Sequence, residues 1–114
     1  MEIKEKINTI SKNYKRFKDM ETYNEYLDAF QNLNKVVYKE GAVSTKHKEL
    51  TAVAIATSQR CEPCLISHIK KAIIAGATKE EIIESALVAC AFSGGPALNT
   101  VIQTVQVIIE EYIK

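Results

Sequence analysis

Glycine and proline are scarce, four and two in 114 residues, so neither a flexible linker nor a low-complexity tail has the composition it needs. An excess of charge of one sign is also missing. Fifteen Lys and Arg stand against fourteen Asp and Glu, which leaves no field of the kind that gathers nucleic acid or anionic lipid, and nucleic acid is not an expected partner. No run reaches the roughly 18 apolar residues that a membrane helix requires, so no membrane span is expected. The opening MEIKEKINTI mixes charges among its apolar residues; neither a signal peptide nor an anchor is expected there, and the cytoplasm is the expected compartment. Cysteines number three, an odd count that suits no structural disulfide framework in a chain without an export signal. Chemistry or metal binding has to account for them.

What is present is a globular composition, 46% hydrophobic and 25% charged, in a length that suits one domain over residues 1–114. Period-two alternation is absent, and periodicities of three and four run through the chain. Ile3, Ile7, Ile10, Tyr14 and Phe17 mark a first amphipathic helix to about Lys18. Thr22 and Glu25 have the spacing of a capping box for a second helix, whose buried face would be Tyr26, Phe30, Leu33 and Val37. Gly41 suits a helix end and Ser44 an N-cap, so a third helix is expected from Thr45. Leu50 to Thr57 (LTAVAIAT) carries no charge, which predicts a helix covered on nearly all sides and central in the fold.

Gln59 and Arg60 interrupt that helix, and Pro63 suits the first turn of the next, which should run to about Ala75 before Gly76. Thr78 and Glu81 form a second capping box, opening a helix with Ile82, Ile83, Ala86, Leu87 and Cys90 on its apolar face. Gly94, Gly95 and Pro96 separate it from a last helix striped by Leu98, Val101, Ile102, Val105, Ile108, Ile109 and Tyr112. That stripe exceeds what one partner face covers, so the last helix is expected to help build a subunit interface. The expected fold is all-α, about six helices joined by short turns, with residues 1–35 supplying N-terminal helices that pack on the rest.

Cys61-Glu-Pro-Cys64 sets two thiols at the start of a helix, where unbonded amides and the positive end of the macrodipole favour thiolate. His68 follows Cys64 by one turn on the same face and is placed to exchange a proton with it. Glu49 precedes Cys61 by twelve residues, roughly 18 Å along a straight helix, but the break at Gln59 and Arg60 lets the two helices fold back together. Glu49 would then orient or deprotonate His68 from the edge of an apolar wall, a partly desolvated setting that suits a general base. Zinc is the rival reading, with Cys61, Cys64, His68 and Cys90 as a tetrahedral set. Against it, no second short-spaced ligand pair exists, and Cys90 shares a stripe with Ile83, Ala86 and Leu87, as a small hydrophobe does.

The run Glu49-x11-Cys61-x2-Cys64-x3-His68, with GAVSTKHKEL from Gly41 before it and AGATKEEI from Ala75 after it, resembles the alkylhydroperoxidase D branch of the carboxymuconolactone decarboxylase superfamily. The resemblance covers about Val36 to Gln106. It implies an alkylhydroperoxidase D-like helical bundle assembled into trimers or hexamers, a thiol-dependent peroxidase that reduces hydroperoxides in antioxidant defence without a bound cofactor or metal. Cys64 would attack the peroxide and become a sulfenic acid, and Cys61 would resolve it to a disulfide. Glu49 and His68 would be the proton relay, and a lipoyl or thioredoxin-like protein would be the dithiol donor. Members of the branch often carry a histidine between the cysteines where this chain has Pro63, so one relay member is missing and peroxide turnover is expected to be weak. A protein disulfide reductase is the alternative from the same residues; decarboxylation of a lactone acid would not depend on the cysteine pair.

Overall fold

The computed structural model describes residues 2–114, and among these every regular element is a helix, with no strand. It divides into two compact units, one ending at Glu40 and the other spanning Gly41–Lys114. The first unit is a helical hairpin of α1 (Ile3–Lys18) and α2 (Asn24–Val37). Glu5 in the first turn of α1 and Lys15, Arg16 and Lys18 in its last turn complement the helix dipole. The capping box expected at Thr22 does not form: α2 begins at Asn24 after Tyr23, with no side-chain cap. A turn of hydrogen bonds from Met20 to Asn24 takes up the residues the box would have used.

A larger difference concerns burial. No residue of α1 or α2 is buried, and the expected inner face of α2 is open, Tyr26 being 66% exposed. The residues of α2 that are partly covered are Asn24, Leu27 and Asn34, one position away from the apolar stripe. Gly41 also departs from its expected role, because α2 stops at Val37 with Tyr38 as its C-cap.

The second unit is built on α3 (Thr45–Gln59), α4 (Glu62–Ile74) and α5 (Lys79–Ser93). Each start is capped as its sequence requires. Ser44 Oγ accepts the His47 N–H at 3.1 Å, and Thr78 and Glu81 complete a reciprocal capping box. Lys46 Nζ binds Glu81 Oε2 at 2.9 Å near the starts of α3 and α5, while Ser58 and Ser93 share a 2.5 Å hydrogen bond near their ends. Start meets start and end meets end, so α3 and α5 run parallel and α4 is the return between them.

The core of this unit is Val53, Leu65, Ile69, Ile82, Val105 and Ile108, all closed to solvent. On α3 the uncharged run is covered as expected except at Thr51 and Ile55, which are exposed. On α5 the buried line is Ile82, Ala86 and Ala89; Leu87 is exposed and Cys90 only half-buried. The stripe read from sequence sat slightly off the face that α3 takes. The last rod is not a uniform α-helix. α6 (Gly95–Thr100) passes through a π-helical turn at Val101–Val105 into α7 (Gln106–Tyr112). That wider turn keeps both Val101 and Val105 inward, while Leu98, Ile102 and Val107 stay exposed.

Candidate functional site

The site forms where α3 gives way to α4. Arg60 adopts a left-handed conformation, φ 55° and ψ 39°, and its N–H closes the end of α3 on Ala56 and Thr57. A non-glycine residue in that region is uncommon, and the reversal it makes starts the antiparallel return of α4. The sequence showed a break at this position but not the conformation that makes it.

Cys61 is the N-cap of α4, and its Sγ accepts the Cys64 N–H at 3.3 Å. The sulfur thus sits where a serine or aspartate oxygen usually caps a helix. Glu62 and Pro63 fill the first turn, Pro63 having no N–H to leave unpaired. Cys61 and Cys64 are joined as a disulfide, with Cα atoms 5.3 Å apart. Cys90, the third cysteine, is a free thiol.

One turn beyond Cys64, His68 Nδ1 meets Glu49 Oε1 at 2.7 Å. Glu49 lies on the inner side of α3, its side chain 4% exposed, while that of His68 is 19% exposed. A carboxylate accepts a hydrogen bond, so in the neutral ring Nδ1 carries the proton and Nε2 is the basic atom. Among the described residues no buried side-chain N or O lacks a partner.

The four residues singled out from sequence are therefore brought together as two pairs, Cys61 with Cys64 at the start of α4 and Glu49 of α3 with His68 of α4. Among the described residues, no group of three or more His, Cys, Asp or Glu is arranged to hold a metal ion; Cys90 stands on α5, outside the disulfide. No helix of the described residues is long and apolar enough to cross a membrane.

Tyr112 was legible only as the end of an apolar stripe. Its hydroxyl donates to the Ile66 carbonyl at 3.2 Å, midway along the chain between Cys64 and His68. Burial and the nearby Glu111 charge push its pKa above the usual phenol value. Nothing in the local sequence signals this latch, because its partner is a backbone carbonyl 46 residues away.

Residues 24–106 match the model of the carboxymuconolactone decarboxylase family. Over 70 residues the chain is 43% identical to a protein of the cox locus of Paracoccus denitrificans and 33% identical to a protein of Cupriavidus necator, both uncharacterised. Those matches take in 61% of this chain in each case, and 63% and 62% of the two relatives, so the chain spans about three-fifths of their length. A carboxymuconolactone decarboxylase family protein from Legionella pneumophila, solved in its apo form, superposes with a TM-score of 0.84 at 29% identity, covering 94% of this chain and 93% of that one. A second such protein, from Thermotoga maritima and described in connection with an antioxidative response, gives 0.67 at 29% identity over 76% and 90%.

Proposed function

The chain belongs to the carboxymuconolactone decarboxylase family, which includes enzymes, and from that premise we propose that it is a thiol-dependent hydroperoxide reductase working through Cys61 and Cys64. The observation that carries this reading is the disulfide at the start of α4, with His68 one turn on and bonded to a buried carboxylate.

The cycle follows from those positions. In the reduced enzyme His68 Nε2 takes the proton of Cys64, and Glu49 steadies the imidazolium that results. Cys64 thiolate attacks the outer peroxide oxygen; the S–O bond forms, the O–O bond breaks, and the leaving alkoxide takes the His68 proton as an alcohol. Cys61 thiolate then attacks the sulfenic sulfur; the S–S bond forms and hydroxide leaves, protonated to water. The sum is one hydroperoxide and two thiols giving an alcohol, water and a disulfide. For the return, one thiolate of a dithiol donor of the lipoyl or thioredoxin-like class attacks Cys64 and expels Cys61 as thiolate. The donor's second thiol then attacks the mixed disulfide, releasing Cys64 and leaving the donor as a disulfide. The Cys64 N–H that caps Cys61 Sγ stabilises Cys61 as the first leaving group. The same feature supports the second reading, a protein disulfide reductase, in which the peroxide is replaced by a partner's disulfide.

The test is to reduce the protein fully, add one equivalent of an organic hydroperoxide without oxygen, and follow intact mass and free thiols. Rapid loss of two hydrogens and two thiols, abolished by Cys64→Ser, is expected. Survival of both thiols under peroxide, with rapid oxidation by a protein disulfide, would move the assignment to the disulfide reductase. Survival under both oxidants would remove the redox reading altogether.

A further inference from the structure

Among the described residues three take a positive φ, and two of them are Gly76 and Gly94, of the residue type that adopts it without steric cost. The third is Arg60. Its N–H bonds the Thr57 carbonyl at 3.1 Å, and the Cys61 N–H bonds that of Ala56 at 3.0 Å. This is the paired closure of a helix end whose left-handed position usually holds glycine. Glycine would serve the backbone there as well or better, so the reason for an arginine lies in its side chain. Arg60 is exposed, and its guanidinium takes part in no hydrogen bond or ion pair among the described residues. It adjoins Cys61 in sequence, the two Cα atoms about 3.8 Å apart. Ser58, Gln59 and Pro63, the other exposed residues from 58 to 64, are uncharged, and Glu62 is half-covered with a partner of its own. An exposed cation with no structural role therefore borders the disulfide.

We propose, resting on the redox reading of Cys61 and Cys64, that Arg60 docks the electron donor, a dithiol protein with a carboxylate on the face beside its thiols. A hydroperoxide needs only Cys64 and His68. A dithiol protein attacking Cys64 lays its surface across both sulfurs, whose Cα atoms are 5.3 Å apart, and so across the neighbouring Arg60. Arginine suits that contact, because its planar guanidinium takes a carboxylate through two parallel hydrogen bonds, and arginine recurs among the residues that dominate protein interfaces. The charge acts locally. With 15 basic against 14 acidic residues the chain as a whole has little net charge to steer a partner from a distance. Docking alters no covalent step: the donor's dithiol is oxidised to its disulfide as the Cys61–Cys64 bond is reduced to two thiols.

The test mixes the oxidised full chain with reduced synthetic peptides, Cys-Gly-Pro-Cys flanked by two Glu, two Gln or two Lys, and times the appearance of reduced protein by intact mass after acid quenching. Dithiothreitol is the uncharged control. At low salt the Glu-flanked peptide should react about tenfold faster than the Lys-flanked one, and the ratio should fall toward one in about 0.5 M salt. Arg60→Gly and Arg60→Asn, both suited to a left-handed backbone, should fold as well, react with dithiothreitol at the unaltered rate and lose the preference. Arg60→Glu should reverse it. A ratio that is flat in the unaltered protein, or that survives Arg60→Gly, overturns the proposal. Oxidation of the reduced chain by an organic hydroperoxide is followed alongside; its failure would remove the peroxidase reading, while the peptide ratio, read on the disulfide, would still decide for or against Arg60. If Arg60→Gly slowed oxidation by a carboxylated hydroperoxide but not by an uncharged one, and left the peptide ratio intact, Arg60 would serve the oxidising substrate and the proposal would fall.

Discussion

Removing the His68 ring should expose how much the fold depends on its partner. In His68→Ala the Glu49 carboxyl keeps its position on the inner side of α3, 4% exposed, but loses the 2.7 Å hydrogen bond from Nδ1. Breaking a buried charged pair from one side costs about 3–5 kcal/mol. The 19% exposure of His68 admits some water to the gap, so the lower end applies, about 3 kcal/mol, or a fall in Tm of about 12 °C for a domain of this size. Replacing both partners, Glu49→Met with His68→Leu, leaves no charge stranded, and the cost should fall to within about 1 kcal/mol of the unaltered protein. Urea unfolding followed by circular dichroism, at one protein concentration and with the disulfide intact, measures both. A His68→Ala loss under about 1 kcal/mol, or a double variant as unstable as the summed singles, would refute the view that a buried carboxylate is held by the imidazole.

Three further perturbations separate the supports of the site. Thr78→Ala removes the hydroxyl half of the capping box and should cost about 1 kcal/mol in the same assay. The Thr78 backbone N–H, and then Lys46, hold the Glu81 carboxyl below its ordinary 4.5; a lowered folded pKa gives stability that is present above pH 4.5 and lost as pH falls through the folded value, so Glu81→Gln should flatten the acid limb of an unfolding titration below pH 4.5. Tyr112→Phe should cost about 1 kcal/mol for the lost hydrogen bond. Because the Tyr112 pKa is raised above 10.0, chiefly by burial, its contribution is present below pH 10 and lost as pH rises through the folded value. Tyr112→Phe should therefore reduce alkaline destabilisation, and an alkaline limb identical to that of the unaltered protein would count against the latch.

What the sequence made legible was mostly local. Ser44, Thr78 with Glu81, and Gly76 act on amides or carbonyls within a few residues, so side-chain type alone predicts them, and the structure has each in place. The Glu49, Cys61, Cys64 and His68 set was also readable, because a known spacing carried it and one chain reversal brings α3 beside α4. What stayed hidden depended on distance or on partners. Thr22 and Glu25 have capping-box spacing, yet the turn from Met20 pre-empts it. Tyr26, Phe30, Leu33 and Val37 have the period of a buried face, but periodicity reports that a face is apolar and is silent on what covers it. The π-helical turn after Thr100 lies in a run, NTVIQTVQV, that contains neither Gly nor Pro to mark it.

The Glu49–His68 pair is poorly explained as a stability device. Closed side chains such as Val53 and Ile69 already supply α3 and α4 with a core, and an apolar pair at 49 and 68 would hold the helices about as well without the cost of taking a carboxylate out of water. Its placement makes sense for proton transfer. A ring fixed through Nδ1 presents Nε2 in one orientation, one turn from the cysteine that follows the capped sulfur, and it does so on the same rigid helix. On this argument the double apolar variant should fold well and yet oxidise slowly with hydroperoxide, whereas Tyr112→Phe should lose stability with little change in that rate. If the double variant kept its full rate of thiol loss, the pair would have no part in activating Cys64, and the cap on Cys61 alone would have to account for the reactivity of the site.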